Sequence, residues 1–195
     1  MASATHSFVK PLQLPTLILA LCAVALPAAT LERLSLDDMI TKSTAIVRGK
    51  VTGSFAAYSG PMIYTHYRVQ VSETLKGPAL GSVEVQVPGG VANNMRQTFA
   101  GAPQFNPGDE FVFFLWTGQS GATQVLGLTQ GLFAVAADGT ADPVTTRSPS
   151  HEMMLDHATG RQVKDQTLAM HLSELRARIG ATLGGTGNSP SGAGK

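Results

Sequence analysis

The residues best equipped for chemistry in this chain are spread out, and their spacing decides what they can do. Residues 151–157, "HEMMLDH", hold two histidines, a glutamate and an aspartate. A zinc-protease helix needs histidines at i and i+4 on one face with a glutamate between them as base. Position i+4 from His151 is Leu155, and His157 falls where a helix has already turned to another face. An exposed polar stretch after an edge strand is expected there, with no metal site. Asp109 and Glu110 are adjacent, so on a strand they point to opposite sides and cannot act as a paired acid and base. Asn106-Pro107-Gly108-Asp109 instead has the residues that a tight turn requires. "VPGGV" at 87–91 fits no phosphate-loop pattern. No Gly-x-Ser-x-Gly elbow occurs, and the single cysteine, Cys22, lies in the N-terminal apolar run. With no recognisable nucleophile, no catalytic residue and no cofactor are expected.

Two groups remain as binding candidates. Tyr64, His66 and Arg68 alternate along one strand face, where an aromatic ring, an imidazole and a guanidinium can stack on and hydrogen-bond an extended ligand. The second group is Met95, Arg96 and Phe99, in a stretch from Pro88 to Gly108 rich in Gly, Asn and Pro. A loop this long in a compact domain usually serves a function. Met95 supplies an adaptable apolar contact, Arg96 a charged fork and Phe99 an aromatic anchor. The competing expectation is that Val91, Met95, Phe99 and Phe105 fold back to close one end of the core.

The elements that must position these groups are mostly strands. "AIVRGKVTG", "MIYTHYRVQVSETLKG" and "SVEVQV" alternate with period two, as half-buried antiparallel strands do. "EFVFFLW" is apolar on both faces and predicts a central strand covered on both sides. "TQVLGLTQ" and "GLFAVAADGTADPVTT" add further strands, with a hairpin turn at Asp138-Gly139 and an edge position suggested by Pro143. A short helix is expected after Ser35, which with Asp38 makes a capping box, while Leu34 staples against Met39. A second helix is expected over "DQTLAMHLSELRARIG", capped by Asp165, striped by Leu168, Leu172, Leu175 and Ile179, and ended by Gly180.

The N-terminus reads as a signal peptide over residues 1–29: Lys10, a long apolar run, and small residues at Ala28 and Ala29. Leu21 before Cys22 does not suit a lipid-attachment signal. Cleavage near Ala29 would leave no cysteine, hence no disulfide and no thiol chemistry. It removes only Lys10 among the charged residues, bringing 14 basic residues to parity with 13 acidic ones. Such a balance disfavours nucleic acid as a partner, and no stable membrane span is expected after cleavage. The organisation expected is one domain over 30–180 and a disordered tail over 181–195, in a secreted or periplasmic protein.

This pattern predicts a mainly β fold: a small antiparallel OB-like barrel or sandwich with a short N-terminal helix and a C-terminal helix. "STAIVRGKV", "YTHYRVQVSETLKG", "SVEVQVPGG" and "FNPGDEFVFFLW" together resemble the netrin/tissue-inhibitor-of-metalloproteinase-like OB domain, over roughly residues 34–135. They are also similar to exported bacterial proteins of this size. The inhibitors in that family reach the catalytic zinc through an N-terminal cysteine. A chain starting near Thr30 has none, so that chemistry is not carried over. The function expected is a non-catalytic exported interaction module whose partner is an exported protein or peptide. Two alternatives stand beside it: an inhibitor or accessory partner of a secreted protease, and a hydrolase with an unrecognised site.

Overall fold

The computed structural model describes residues 30–150 and 152–185. Residues 1–29, where a signal peptide is expected and which hold Cys22, together with His151 and residues 186–195 of the expected tail, lie outside the described residues. In chain order the elements are β1 (Thr30–Glu32), α1 (Leu36–Lys42), β2 (Ala45–Ser59), β3 (Met62–Lys76), β4 (Ser82–Pro88), β5 (Gly90–Ala92), β6 (Met95–Gln97) and β7 (Glu110–Thr117). There follow β8 (Thr123–Val125), a 3-10 turn (Leu128–Gly131), β9 (Leu132–Val135), β10 (Val144–Arg147), β11 (Met153–Leu155), β12 (Gln162–Val163), β13 (Leu168–His171) and α2 (Leu172–Gly185).

The fold is mainly β. The principal sheet runs β13-β10-β9-β7-β2-β3-β4, and β8 pairs with β7 off that path. Two register shifts lie between Arg48 and Gly53 of β2, and such bulges bend and twist a long strand. The curl brings β4 and β8 side by side with Val87 and Val125 in one core cluster, but no ladder joins them. The described sheets therefore do not close into a hydrogen-bonded barrel.

β7 lies at the centre, as its two apolar faces predict. Phe113 and Leu115 enter one cluster with Val47, Val51, Tyr67, Val69 and Val85. Val112 and Phe114 enter another with Met39 and Ile40 of α1 and Leu172, Leu175 and Ile179 of α2. All four β7 side chains are fully buried. Burial of each is worth about 1.5–3 kcal/mol, so this strand carries much of the core's stabilisation.

Local chemistry holds the ends. Ser35 and Asp38 form the expected capping box, and Leu34 joins the cluster that contains Met39. In "Leu-Lys-Gly", Leu75 packs against the helix-side cluster, and Lys76 Nζ donates to the carbonyls of Ile40 and Thr41 at the end of α1. Gly77 has φ +89, and a Cβ there would stand 2.8 Å from the Thr44 carbonyl oxygen. In the Pro-Gly-Asp turn, Asp109 accepts from the Asn106 N–H, while Gly108 N–H and Asp109 C=O bond the two backbone groups of Val51. That turn is seated on β2 next to its bulge.

Five expectations need correction. Pro143 does not mark an edge, because β10 pairs with β9 on one side and β13 on the other. Pro143 immediately precedes β10, where its missing N–H interrupts no ladder. Leu168–His171 is strand β13, and α2 begins only at Leu172. Asp165 does not cap it; Asp142 does, accepting from the N–H and hydroxyl of Ser173. Asp165 instead meets the buried Arg147 at 2.6 Å and takes the Ser150 N–H. Gly180 does not stop the helix, which runs through Gly185, so residues 181–185 of the expected tail are helical. Finally, "HEMMLDH" is not merely an exposed stretch: Met153–Leu155 pairs in parallel with β1 and antiparallel with β12, burying Met154.

Candidate functional site

The segment from Pro88 to Gly108 divides into two parts with opposite fates. Its first part is a hairpin that alternation did not reveal: β5 and β6 pair across Asn93-Asn94, at φ 49° and 62°. Positive φ at both central residues is the signature of a type I′ hairpin turn, and Asn tolerates it. Its last part turns inward. Phe105 is 7% exposed and meets Tyr67, Phe111 and Phe113 edge-on, closing the concave core.

The hairpin is fastened to β3 by complementary polar contacts. Gly89 N–H donates to the Ile63 carbonyl, and the Thr65 hydroxyl donates to the Gly89 carbonyl at 2.7 Å. The Gln97 side chain accepts from Ile63 N–H and donates to the Pro61 carbonyl. Gly90 has φ +138, and a Cβ there would stand 2.5 Å from Thr65 Oγ1, so only glycine permits this approach.

A cleft of about 240 Å³ opens between the hairpin and the inward-turning part. Thr65, Tyr67 and Val87 line it from the sheet, and Arg96, Phe99 and Gln104 line it from the loop. Arg96 makes no ion pair among the described residues. Phe99 is 39% exposed, Val91 52% and Met95 60%. The hairpin and the residues just after it thus leave three large apolar side chains partly in water, beside a guanidinium that has no ion pair among the described residues.

The structure brings Arg96 and Phe99 together at this cleft; Met95 stands on the hairpin outside its lining. Tyr64, His66 and Arg68 do share a strand face, opposite the one from which Thr65 and Tyr67 enter the cleft. They do not form an open platform. The His66 ring stacks on Phe55 at 4.7 Å and 10°, with Nδ1 2.8 Å from Glu84 Oε1. The Arg68 guanidinium lies 5.6 Å from the Phe55 ring centre. Tyr64 lines a second hollow with Trp116, and Arg68 a third with Glu84. Thr65, Tyr67 and Gln97 were missed as site residues. The signal for them was the Asn-Asn pair, which makes a hairpin of the stretch and lays it over β3.

The charged residues singled out for chemistry are dispersed. Asp109 serves its turn, while Glu110 pairs with Arg48 at 2.7 Å. His157 meets Glu32, and Asp156 accepts from Thr159 within its own turn. Among the described residues no three His, Cys, Asp or Glu side chains converge as a metal-binding group. No described helix is long and apolar enough to cross a membrane. No protein-family model, curated protein or solved structure matches the chain.

Proposed function

We propose that the protein is an exported, non-catalytic interaction module that holds a peptide segment of another exported protein in the cleft beside the β5–β6 hairpin. The observation that carries this reading is the exposure of Val91 and Met95 on a hairpin fastened at Gly89, Gly90 and Gln97, and of Phe99 just after it. Pre-organisation lowers the cost of ordering on binding, and an aromatic anchor with an arginine supplies most of the affinity at such sites. The unpaired Arg96 favours a peptide with a carboxylate next to an apolar residue. An OB-like architecture is part of the proposal. It is supported by the bulged β2, by the close approach of β4 to β8, and by the Leu-Lys-Gly and Pro-Gly-Asp segments, which lie within the stretches that carry the resemblance.

Selection from a displayed random-peptide library tests this function. The chain from Thr30 onward should enrich sequences pairing an apolar side chain with an acidic group. The variant carrying M95A, R96A and F99A should not retain them. Equal enrichment on both proteins, or none on either, would refute the reading.

A further inference from the structure

A second hollow lies away from the hairpin cleft, where the β7–β8 hairpin approaches the outer side of β3 and β4. Its volume is about 290 Å³, at the small end for ligand sites. Tyr64 and Trp116 line it with Gln86, Gln119, Ser120 and Gln124, and no charged residue takes part. Trp116 is the only tryptophan in the chain and is 46% exposed. It follows Val112 and Phe114 on the face of β7 that the helices cover, but it lies past their reach.

The frame around Trp116 is closed by hydrogen bonds. Trp116 pairs with Gln124, and the Thr117 and Thr123 hydroxyls meet at 2.9 Å. Gly118 N–H donates to the Ala122 carbonyl, and Gly121 N–H to that of Gly118. The indole lies over Gly118, where a Cβ would stand 3.0 Å from Trp116 Cη2. The tyrosine hydroxyl, the indole N–H and the side-chain amides of Gln86, Gln119 and Gln124 make no hydrogen bond within the described residues.

We propose that this hollow is a binding site for neutral saccharides, with Tyr64 and Trp116 taking sugar faces and the three glutamines their hydroxyls. The C–H face of a pyranose is apolar and suits an aromatic ring whose edge is also polar. Its hydroxyls each donate and accept, and a primary amide offers both functions at once. Nucleic acid would stack as well, but it needs lysine or arginine for its phosphates, and the lining has neither. Anionic glycans fail on the same ground. A chain longer than the hollow would run past it, with one stretch held between the two rings. This site is independent of the peptide cleft, so either proposal can fail without the other.

Titration with cellohexaose, laminarihexaose, maltohexaose and chitohexaose tests the assignment, because emission excited at the red edge reports on Trp116 alone. At least one of the four should shift that emission saturably, and calorimetry should give the same affinity. W116A and Y64A should each weaken calorimetric binding roughly tenfold or more, by loss of a stacking face. G118A, which displaces the indole without removing it, should weaken binding and alter the emission of the free protein. The M95A/R96A/F99A variant should bind the sugar as the wild type does. Melting curves of all variants identify any loss that comes from unfolding, and Gln86→Ala then serves as the alternative variant. No emission change with any of the four sugars at millimolar concentration would overturn the proposal. So would sugar binding that survives W116A, or preferential binding of a peptide or an acidic glycan at this hollow.

Discussion

Replacement of Phe105 by alanine should separate the structural part of the 88–108 segment from the exposed part. The ring is 7% exposed and touches Tyr67, Phe111 and Phe113 at centroid distances of 4.8, 5.4 and 5.7 Å. A buried aromatic side chain withdraws about 150–250 Å² from water, or roughly 4–6 kcal/mol at ~25 cal/mol per Å². Alanine keeps a little of that burial, and measured losses for Phe→Ala are about 3–5 kcal/mol. Because Phe105 sits on a loop that can settle inward, F105A should cost about 3–4 kcal/mol, the lower part of that range. Phe99, with 39% exposure, buries less and sits where water can refill the space, so F99A should cost about 1–2 kcal/mol, clearly less than F105A. At roughly 2–4 °C per kcal/mol, the melting temperature of F105A should fall by about 6–16 °C. Urea titrations followed by circular dichroism measure both variants, with equal m-values confirming that the denatured states are comparable. A loss under about 1 kcal/mol for F105A, or equal losses for the two variants, would refute the division.

Three further outcomes follow from the packing and the charges. Arg147→Ala should destabilise by about 3–5 kcal/mol, because it leaves the buried Asp165 without its cation. A double-mutant cycle with Asp165→Asn should show strong coupling, and additive losses would contradict the pair. Asp37 is held below the usual carboxylate range by Arg178 and then Thr182, and Asp142 by Ser173. Depressed carboxylates contribute stability above their unfolded pKa of about 3.9 and lose it as pH falls through the folded value. The melting temperature should therefore hold from neutral pH to about 5 and drop below about 4, with a smaller drop in D142N; an unchanged slope in that variant would count against the cap. N-terminal sequencing of the protein made in cells from the full chain should begin within a few residues of Thr30, whereas an intact Met1 in the membrane fraction would overturn the proposed export by cleavage.

Features whose causes are local could be read directly from the sequence. Ser35 and Asp38 are three residues apart and need nothing distant to form a capping box. The double apolar face of Glu110–Thr117 announces burial on both sides whatever covers it. The failures share a different character. Leu168 and Met170 fit a strand, and Leu168 and Leu172 fit a helix, so periodicity alone could not place the boundary at Leu172. Asp165 has the type and place of a cap, yet Arg147, eighteen positions away, claims it. Asn93-Asn94 carried the hairpin signal, but β5 and β6 are too short to show alternation beside it. Tyr64, His66 and Arg68 share a face as their spacing requires, yet Phe55 and Glu84 come from neighbouring strands and occupy two of them. The placement of Tyr64 and Trp116 around one hollow depends on the curl that brings β4 beside β8, which no local pattern encodes.

The central claim is that the hairpin cleft binds a peptide and that the fold does not depend on its exposed side chains. Amide-resolved NMR of the labelled chain from Thr30 onward, titrated with a peptide selected on it, tests both halves. The shifted amides should cluster between Gly89 and Gln104 and at Thr65 and Tyr67. The M95A/R96A/F99A variant should give no shifts while melting within a few degrees of the wild type, as surface substitutions do. Shifts centred elsewhere on the molecule, or a triple variant that melts far lower, would contradict the account.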